Sequence, residues 1–512
     1  MVSGGAEMTS GIHHVTAITR RVQANVDFYA GFLGLRLVKQ TGGYEDAEQL
    51  HLFYGDRLGS PGSIATFLVW ESGAAGRVGH GQVAEIGFAV PPPSIGDWLT
   101  RALSQRVPVE GPVREFGETV LRLRDPDGII VKLVGIALPA AAPLADPIAP
   151  TRIRSVTILT GDAEATAAFT ARFGYRPARQ EGAIRRLVSD SDAVDIRDAA
   201  GYFPGIPGAG TFDHVAFRAP DAAAVRQMRL DLRDAAELTH VHDRKYFLSL
   251  YVREPAGTLF EHATDTPGFT VDEPAEVLGE MLFVPPQDAD RAQDLRVMLP
   301  QFARPGEPRS PVRSLPFVHR FHTPGDPDGR ILVLLHGTGG TEADLMPLAA
   351  RIAPRATLLG VRGRATEEGH ARWFRRLGLD RFDQADIRSE AEAVVAFLAG
   401  AVSGYGLDPA RMTGVGYSNG ANFLAAVLQL HPGVLRRAVL LRTVQVLEPV
   451  PKAALTGTQV LLVNGGADRL ATDGGALEVA LRSAGAEVER RLLDAGHDLS
   501  PQDAVAARDW LE

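Results

Sequence analysis

The chain has 512 residues, of which 45% are hydrophobic and 22% are charged, as is ordinary for a globular protein of about three domains. Its formal net charge of -9 gives no general electrostatic reason to bind nucleic acid or an anionic membrane. Cysteine is absent, which excludes disulfides, thiolate metal sites, iron–sulfur clusters and a thiol nucleophile, so any metal must use histidine and carboxylate ligands.

The opening segment, MVSGGAEMTSG, lacks the basic-then-apolar pattern of a secretion signal. No apolar run in the sequence is long enough to span a bilayer. We therefore expect a cytoplasmic protein that has neither a membrane nor a nucleic acid as its partner. The sequence leaves open whether the chain forms a homo-oligomer.

Short apolar segments of period two, typical of β-strands, dominate about the first 270 residues. Some of these segments repeat: HVTAIT at 14–19 is similar to SVTILT at 155–160, and DPDGIIVKL at 125–133 is similar to EPAGTLFEH at 254–262. Within each repeat the order is strand, helix and then about three strands. Four such βαβββ units fit the sequence, and they begin near residues 12, 83, 153 and 212.

A Pro/Ala-rich stretch, LPAAAPLADPIAP at 138–150, divides the four units into two pairs. We predict one domain at 1–137 and a second at 151–275. Residues 276–317 are rich in proline and charge, and are predicted to be a tail and linker. From 318 to 512, continuous apolar strands alternate with helices, which predicts a doubly wound, largely parallel sheet. The expected fold class is therefore α+β followed by α/β.

A candidate metal site appears when the repeats are aligned with one another. His14 lies in the opening strand of the first unit, His214 has the same place in the fourth unit, and Glu261 lies on the last strand of that fourth unit. The middle units hold residues that do not replace imidazole ligands at the equivalent positions: Glu85, Ser155 and Lys132. Two imidazoles and one carboxylate are the ligand set of non-haem Fe(II) oxygenases, and they also admit Mn(II) and, less easily, Zn(II).

Other histidines near these motifs are alternative ligands: His240, His242 and His262. The strand register favours Glu261 over them. His13 stands directly before His14 on the same strand, and successive side chains of a strand point to opposite faces. The two histidines are therefore expected to have different roles.

GIHHVTAI, FDHVAFRAPD and DRKYFLSLYVREPAGTLFEHATDTPGFTVDE resemble segments of the vicinal-oxygen-chelate (glyoxalase-fold) superfamily, and most closely its ring-cleaving dioxygenases of the hydroquinone type. The resemblance covers about residues 11–275. It implies an Fe(II) ion with three ligands: His14, His214 and Glu261. It also implies that His13, Thr16 and Tyr251 support the metal site or contact the substrate. Strand alternation alone does not settle which face Tyr251 occupies.

GYSNG at 416–420 matches the nucleophile elbow, a strained strand-to-helix turn that exposes a serine hydroxyl. The motif follows the apolar MTGVG and precedes the helical ANFLAAVLQL, as such a turn requires. Asp468 and His497 each follow a predicted strand, in the order that this elbow's triads use. Because the imidazole takes the proton of the hydroxyl and the carboxylate orients the imidazole, we predict Ser418, Asp468 and His497 as a catalytic triad.

The backbone N–H groups of Thr338 and Asn419 are expected to form the oxyanion hole of this triad. LLHGTGGTEADL, RWFRRLGLDRFDQADI, GYSNGAN and GHDLS resemble the small phospholipase/carboxylesterase branch of the α/β-hydrolases, over about residues 318–512. The family usually has a proline shortly after the acid's loop, whereas this chain has DRLATDGG. Asp473 therefore stays open as a rival to Asp468.

The sequence thus predicts a bifunctional enzyme: a dioxygenase that cleaves a hydroquinone, or a catechol, with O₂, and a carboxylesterase-type hydrolase of an ester or thioester. Trp373 is either a wall of the acyl pocket or ordinary packing. That the hydrolase acts on the dioxygenase product is a hypothesis suggested by the fusion alone. The N-terminal part has two alternatives, namely a module that binds a quinone or drug without turnover, and a metal-dependent isomerase or thiol transferase.

Overall fold

The structure is a computed structural model that describes four ranges: residues 10–309, 313–378, 381–470 and 474–512. The chain separates into two compact units. The first comprises Met1–Ala289 and Phe302–Pro308, and the second comprises Asp290–Gln301 and Arg309–Glu512. Within the described ranges, no helix is both long and apolar enough to cross a membrane.

Along the first unit, a strand, a helix and further strands follow one another in four sets. The first set is β1 (Ile12–Thr19), α1 (Val22–Val26), β2 (Arg36–Gly42), β3 (Leu50–Gly55) and β4 (Ile64–Val69). The second is β5 (Gln82–Val90), α2 (Ile95–Ser104), β6 (Val109–Glu115), β7 (Glu118–Arg124) and β8 (Ile130–Gly135). The third is β9 (Arg152–Thr160), α3 (Ala163–Thr170), β10 (Arg176–Glu181), β11 (Ile184–Val188) and β12 (Ala193–Asp198). The fourth is β13 (Phe212–Ala219), α4 (Ala222–Leu232), β14 (Glu237–Leu238), β15 (His242–Asp243), β16 (Leu248–Arg253) and β17 (Leu259–Thr264), and a short strand, β18 (Leu282–Phe283), follows.

The four sets combine into two sheets, and the pairing is not sequential. One sheet has the order β14-β16-β17-β13-β1-β4-β3-β2-β18, with β15 paired to β16, and the other has the order β10-β11-β12-β9-β5-β8-β7-β6. The first set therefore shares a sheet with the fourth, and the second set shares a sheet with the third. In each sheet the two sets meet through an antiparallel pair of opening strands, β1 with β13 and β5 with β9.

The opening strands and the helices of these sets follow from local sequence. All eight residues of β1 are buried, since this strand lies inside its sheet and both of its faces are covered. Helices α3 and α4 begin after Asp162 and Asp221, whose carboxylates accept hydrogen bonds from the backbone N–H groups of Ala165 and Ala224. Helix α1 runs directly into a π-helical turn, Asp27–Phe32.

The second unit alternates strands and helices. Its strands are β19 (His319–His322), β20 (Ile331–Leu335), β21 (Thr357–Val361), β22 (Ala365–Glu367), β23 (His370–Arg372), β24 (Arg376–Gly378), β25 (Arg381–Phe382), β26 (Met412–Tyr417), β27 (Arg437–Leu441), β28 (Gln459–Gly465) and β29 (Glu487–Leu493). Its helices are α5 (Ala292–Met298), α6 (Met346–Ile352), α7 (Gln384–Tyr405), α8 (Asn419–Leu430), α9 (Gly474–Ser483) and α10 (Pro501–Leu511). The chain also has short 3₁₀ turns: Pro92–Ser94, Ala171–Phe173, Phe269–Val271, Pro286–Arg291 and Pro409–Arg411.

The main sheet of the second unit has seven strands in the order β19-β21-β20-β26-β27-β28-β29. Only the edge strand β19 is antiparallel to its neighbour; the other pairs are parallel. Alternate residues of β20 point into two different hydrophobic cores, Val333 into one that includes α7 and α8, and Leu334 into one that includes α6 and α10. Burial on both faces explains why the strand is a continuous apolar run.

Candidate active sites

Three predicted ligands converge above one alanine of the first sheet. In the strand pairing, His14 on β1 and Glu261 on β17 both lie opposite Ala216 of β13. His214 lies two residues before Ala216 and therefore projects from the same face. The Nε2 atom of His14 is 3.2 Å from His214 Nε2 and 3.1 Å from Glu261 Oε2, and His214 Nε2 is 2.9 Å from the same oxygen. All three side chains are buried.

This arrangement fits a divalent metal ion. Donors about 2.1 Å from one ion and at right angles to each other lie about 3 Å apart, which matches the three separations and leaves other coordination positions open. Glu261 Oε2 is buried and faces the Nε2 atoms of both histidines, while Oε1 accepts a hydrogen bond from Ser249. Burial acts to raise the pKa of Glu261, but His14 and His214 hold it well below its ordinary value. The carboxylate is therefore ionised, and its Oε2 lies together with the two imidazole nitrogens, where the three atoms can bind one cation.

The residue before each histidine ligand contacts that ligand's Nδ1 atom. Asp213 Oδ2 is 2.7 Å from His214 Nδ1, and His13 Nδ1 is 2.9 Å from His14 Nδ1. The pairing of β1 with β13 shifts its register between Ile12 and His14, as at a β-bulge, so the alternation of a regular strand does not hold at His13. Burial, together with the neighbouring His14, lowers the pKa of His13 to about 3. Burial acts to lower the pKa of His214, but its hydrogen bonds with Asp213 and Glu261 raise it to about 9.

A cavity of about 440 Å³ opens beside His14 and His214, and Thr16 and Tyr251 line it, whereas His13 does not. Tyr251 pairs with Glu261 between β16 and β17, so its side chain lies on the ligand face, and its ring is edge-on to that of His214 at 5.4 Å. The Thr16 hydroxyl is 2.9 Å from His214 Nε2.

The cavity is also lined by residues that no sequence motif indicated as part of a site: His51, Trp70, Asp213, Arg244 and Phe247. His51 lies on β3, and its Nε2 is 2.8 Å from the hydroxyl of Thr66, which in turn is 2.8 Å from that of Thr16. The alternation within LHLFYG predicts that His51 lies on the opposite face of its strand from its neighbours Leu50 and Leu52. Which face that is depends on pairing between strands.

The alternative histidine ligands lie outside the cluster. His240 and His242 contact each other, with ring centroids 4.1 Å apart and the ring planes tilted by 37°. The Nε2 atom of His262 lies 3.2 Å from the carbonyl oxygen of Arg218, and as the neighbour of Glu261 on β17 His262 points to the opposite face. Within the described residues, His14, His214 and Glu261 are the one group of three ligand-type side chains that could hold a metal.

The second sheet has a lysine where the first has Glu261. Lys132 lies opposite Gly87 between β8 and β5, as Glu261 lies opposite Ala216. Its ammonium nitrogen is 3.0 Å from Glu85 Oε2 and 3.1 Å from the hydroxyl of Thr157. A side-chain cation thus occupies this part of the second sheet.

Ser418 lies at a sharp turn between β26 and α8 in the second unit. Its φ of 52° is in the left-handed region, which is strained for a residue with a side chain. The turn needs both flanking glycines, because a Cβ on Gly420 would lie 2.1 Å from the carbonyl oxygen of Leu335, and one on Gly416 would lie 2.7 Å from the Cα of Ala421. The close backbone approach forces the serine outward.

The structure brings the three predicted triad residues together. His497 Nε2 is 2.9 Å from Ser418 Oγ, and His497 Nδ1 is 2.9 Å from Asp468 Oδ2. The Asp468 side chain is fully buried. Asp473, the rival acid, lies outside the described residues. This geometry can move a proton from the hydroxyl to the imidazole.

The residues predicted beside the triad have mixed environments. Thr338 is exposed in the turn after β20, and a Cβ on the adjacent Gly337 would lie 3.7 Å from Ser418 Cβ, so this turn approaches the nucleophile. Trp373 is buried in the hydrophobic core, where its backbone N–H donates to Asn419 Oδ1 and its indole N–H donates to the carbonyl of His336. Trp373 therefore holds the segments around the elbow, and its contact with substrate stays a prediction.

Comparison with known proteins identifies relatives of both units. The family model described as the glyoxalase/bleomycin resistance protein/dioxygenase superfamily matches residues 11–133. A Bacillus subtilis (strain 168) protein named as a ring-cleaving dioxygenase, MhqO, is 35% identical over 305 residues, which cover 58% of this chain and 97% of that protein. The chlorohydroquinone/hydroquinone 1,2-dioxygenase of Sphingobium indicum is 30% identical over 55% of this chain and 93% of its own length.

A crystal structure of a protein from Bacillus subtilis described as a dioxygenase has a TM-score of 0.54 and 34% identity, and the match covers 58% of this chain and 99% of that one. A B. subtilis protein named as a hydrolase, MhqD, is 36% identical over 182 residues, which cover 35% of this chain and 91% of that protein. One polypeptide therefore contains a region similar to a protein named as a ring-cleaving dioxygenase and a region similar to a protein named as a hydrolase. The chain belongs to the glyoxalase/bleomycin resistance protein/dioxygenase superfamily and carries, in addition, a region related to a hydrolase.

Proposed function

We propose that the chain is a bifunctional enzyme: an Fe(II)-dependent dioxygenase that cleaves the ring of a hydroquinone or related aromatic diol, and a serine carboxylesterase-type hydrolase. The observation that carries the first activity is the convergence of His14, His214 and Glu261 beside a cavity of about 440 Å³. Two imidazoles and one carboxylate suit Fe(II), with Mn(II) as a second choice. The similarity to a hydroquinone 1,2-dioxygenase supports a para-diol as the substrate.

The proposed organisation follows the predicted boundaries. Four βαβββ units would occupy 1–137 and 151–275, with a tail and linker at 276–317 and a doubly wound α/β-hydrolase domain at 318–512. The four sets of strands and helices, and the helices that pack on both faces of the seven-stranded sheet, support this organisation.

In the proposed dioxygenase, the residues around the cavity have separate roles. The Fe(II), once bound by His14, His214 and Glu261, supplies the redox chemistry that joins O₂ to a diol. Tyr251 stays protonated, because burial and the nearby Glu261 raise its pKa, so its phenol can donate a hydrogen bond to a substrate oxygen. The Thr16 hydroxyl lies on the same side of the cavity, beside His214.

The decisive experiment loads the protein with Fe(II) under anaerobic conditions and measures O₂ uptake with hydroquinone, chlorohydroquinone and catechol. We expect uptake that depends on iron and is fastest with the para-diols. No uptake with any of these diols would overturn the dioxygenase and favour the binding module. Turnover that needs no O₂ and tolerates Ni(II) or Zn(II) would favour the isomerase or thiol transferase instead.

In the hydrolase, His497 takes the proton of Ser418 as the hydroxyl attacks an ester or thioester carbonyl, and Asp468 stabilises the imidazolium. The backbone N–H groups of Thr338 and Asn419 would bind the oxyanion. His497 gives this proton to the departing alcohol or thiol, which leaves an acyl-enzyme on Ser418 and a neutral imidazole. Water, with His497 as the base, then hydrolyses the acyl-enzyme to a carboxylic acid and free Ser418. Hydrolysis of p-nitrophenyl acetate that is lost in Ser418→Ala tests this activity; hydrolysis that persists in the variant would refute it.

A further inference from the structure

Arg442 is a fully buried charged residue of the second unit that the proposed catalytic steps do not use. It directly follows β27, and its φ of 56° places its backbone in the left-handed region. Its side chain has no exposed surface. A buried guanidinium is costly unless its donors are satisfied, so the partners of Arg442 indicate what the chain gains from it.

The guanidinium holds the backbone on both sides of His497. Its Nε donates to the carbonyl of Gly496 at 2.8 Å, and one terminal nitrogen donates to the carbonyl of Asp498 at 3.1 Å. The carbonyl of His497 itself accepts a hydrogen bond from the hydroxyl of Tyr417 at 3.2 Å. Three successive carbonyls of the histidine loop are therefore fixed by side chains that lie next to the ends of β26 and β27.

The charge of Arg442 is balanced by one carboxylate. Asp503, near the start of α10, is also fully buried and accepts from both terminal nitrogens of Arg442, at 2.7 and 3.0 Å. The same carboxylate caps α10, since it accepts from the backbone N–H of Ser500. The remaining donor of Arg442 points to the carbonyl of Val463 at 3.5 Å, on the strand that leads to Asp468.

Next to these contacts, the histidine loop is held before Gly496 by the backbone N–H of Ala467, which donates to the carbonyl of Ala495 at 3.0 Å, and after Asp498 by Leu499, which packs against a hydrophobic core. Gly496 precedes His497, and a Cβ built on this glycine would meet nothing within 4 Å. Gly496 and Asp498 are exposed residues, and the His497 side chain is 25% exposed. The two 2.9 Å hydrogen bonds of His497 require its ring to be placed within a fraction of an ångström.

We propose that Arg442, paired with Asp503, is a positioning residue of the hydrolase, which fixes the histidine loop so that the His497 imidazole bridges Ser418 and Asp468. This inference rests on the proposed function of that triad. A lysine cannot replace Arg442, because an ammonium has three donors and no planar fork with which to reach two carbonyls and a carboxylate together.

The test uses the full-length chain and two variants: Arg442→Lys, and the double variant Arg442→Met with Asp503→Leu, which removes both buried charges and so avoids an unpaired one. Arg437→Lys is the matched control. Arg437 lies on β27 and donates to the carbonyl of Trp510 at the far end of α10, so it joins the same strand and helix without touching the histidine loop. Circular dichroism reports whether each variant is folded.

Two measurements distinguish a positioning role of Arg442 from a role in folding alone. In folded Arg442 variants, we expect kcat for p-nitrophenyl acetate to fall at least tenfold while KM changes less than threefold. We also expect loss of the low-field ¹H NMR resonance of the proton shared by His497 and Asp468, which needs no turnover. Arg437→Lys should keep both. Unchanged kcat and an intact resonance in a folded Arg442 variant would overturn the inference, as would equal losses in Arg437→Lys.

Failure of the inference about Arg442 can be distinguished from failure of the proposed hydrolase function. If hydrolysis by the unmodified chain does not depend on Ser418, the hydrolase proposal fails. The low-field resonance still tests the inference in that case, because it measures the His497–Asp468 contact directly: its loss in the Arg442 variants supports the inference, and its retention refutes it.

Discussion

His13 and His14 are adjacent on β1 and contact each other through their Nδ1 atoms, which gives the two imidazoles different roles. His14 turns its Nε2 towards the ligand cluster, so its proton lies on Nδ1 when a metal is bound, and that proton is donated to His13 Nδ1. His214 has a carboxylate in the corresponding place, that of Asp213. The two proposed ligands therefore have unequal support, His14 from a neutral imidazole and His214 from a carboxylate, and we expect His214 to be the more strongly donating of the two.

At the residue scale, alignment of the chain with itself predicted His14, His214 and Glu261 as one set, and the structure brings them together. The contact of His13 with His14 could not be derived in the same way, because it depends on a β-bulge that the alternation pattern does not reveal. In the second unit, the three triad residues follow from motif and order, but the role of Arg442 depends on contacts that only the folded backbone defines.

The acid of the triad can be assigned by substitution. Asp468→Asn should lower kcat for p-nitrophenyl acetate by about 10⁴-fold, since an amide leaves the imidazole in the wrong tautomer to accept the serine proton. Asp473→Asn is the matched control and should stay close to the unmodified chain. Steady-state kinetics on both variants decides the matter: a large loss in Asp473→Asn with little in Asp468→Asn would reverse the assignment.

At the scale of strands, the strand-rich pattern and the repeated order were predictable, but the pairing of the first set with the fourth was not. Period-two alternation specifies which side chains share a face, and it carries no information about which strand lies alongside. The pairing matters because β1, β13 and β17 become neighbours only through it. The second sheet uses the same pairing for its own two sets and places the Lys132 ammonium among carboxylates.

The ion pairs of Lys132 should make the second sheet sensitive to acid. Burial acts to raise the pKa of Glu85, but Lys132 and Arg122 outweigh it and lower the pKa to about 2, against an ordinary value of 4.5. Stability from this depressed pKa is present above about pH 4.5 and is lost as the pH falls towards 2. Glu85→Gln should therefore cost up to about 3 kcal/mol at pH 7, and less than half of that at about pH 3.

Native-state hydrogen exchange of the amides in β5, β8 and β9 measures this free energy within the sheet itself. Thr157→Val removes a hydroxyl that donates to Glu85 Oε2 at 2.9 Å and helps to lower the pKa of Glu85, so its cost should follow the same pH dependence with a smaller amplitude. A cost of Glu85→Gln that is the same at pH 3 and pH 7 would contradict the assignment of the depressed pKa.

At the scale of the whole molecule, the two proposed activities use residues of different compact units and should be separable. Glu261→Ala removes the carboxylate of the proposed ligand set, so it should lower bound iron at least tenfold and abolish O₂ uptake while ester hydrolysis stays within twofold. Ser418→Ala should abolish ester hydrolysis and leave bound iron and O₂ uptake unchanged. Metal analysis, O₂ uptake and ester hydrolysis on both variants check this expectation, and loss of both activities from one substitution would show that the sites depend on each other.

Because the first set pairs with the fourth, residues of the proposed metal site are synthesised far apart in time. A nascent chain that ends between His214 and Glu261 contains both histidines but lacks the carboxylate, so the proposed ligand set cannot be complete until synthesis has passed Glu261. By then every strand of the other sheet, from β5 to β12, has already been made. All of the sheet that holds Lys132 is therefore synthesised before the last residue of the proposed metal site.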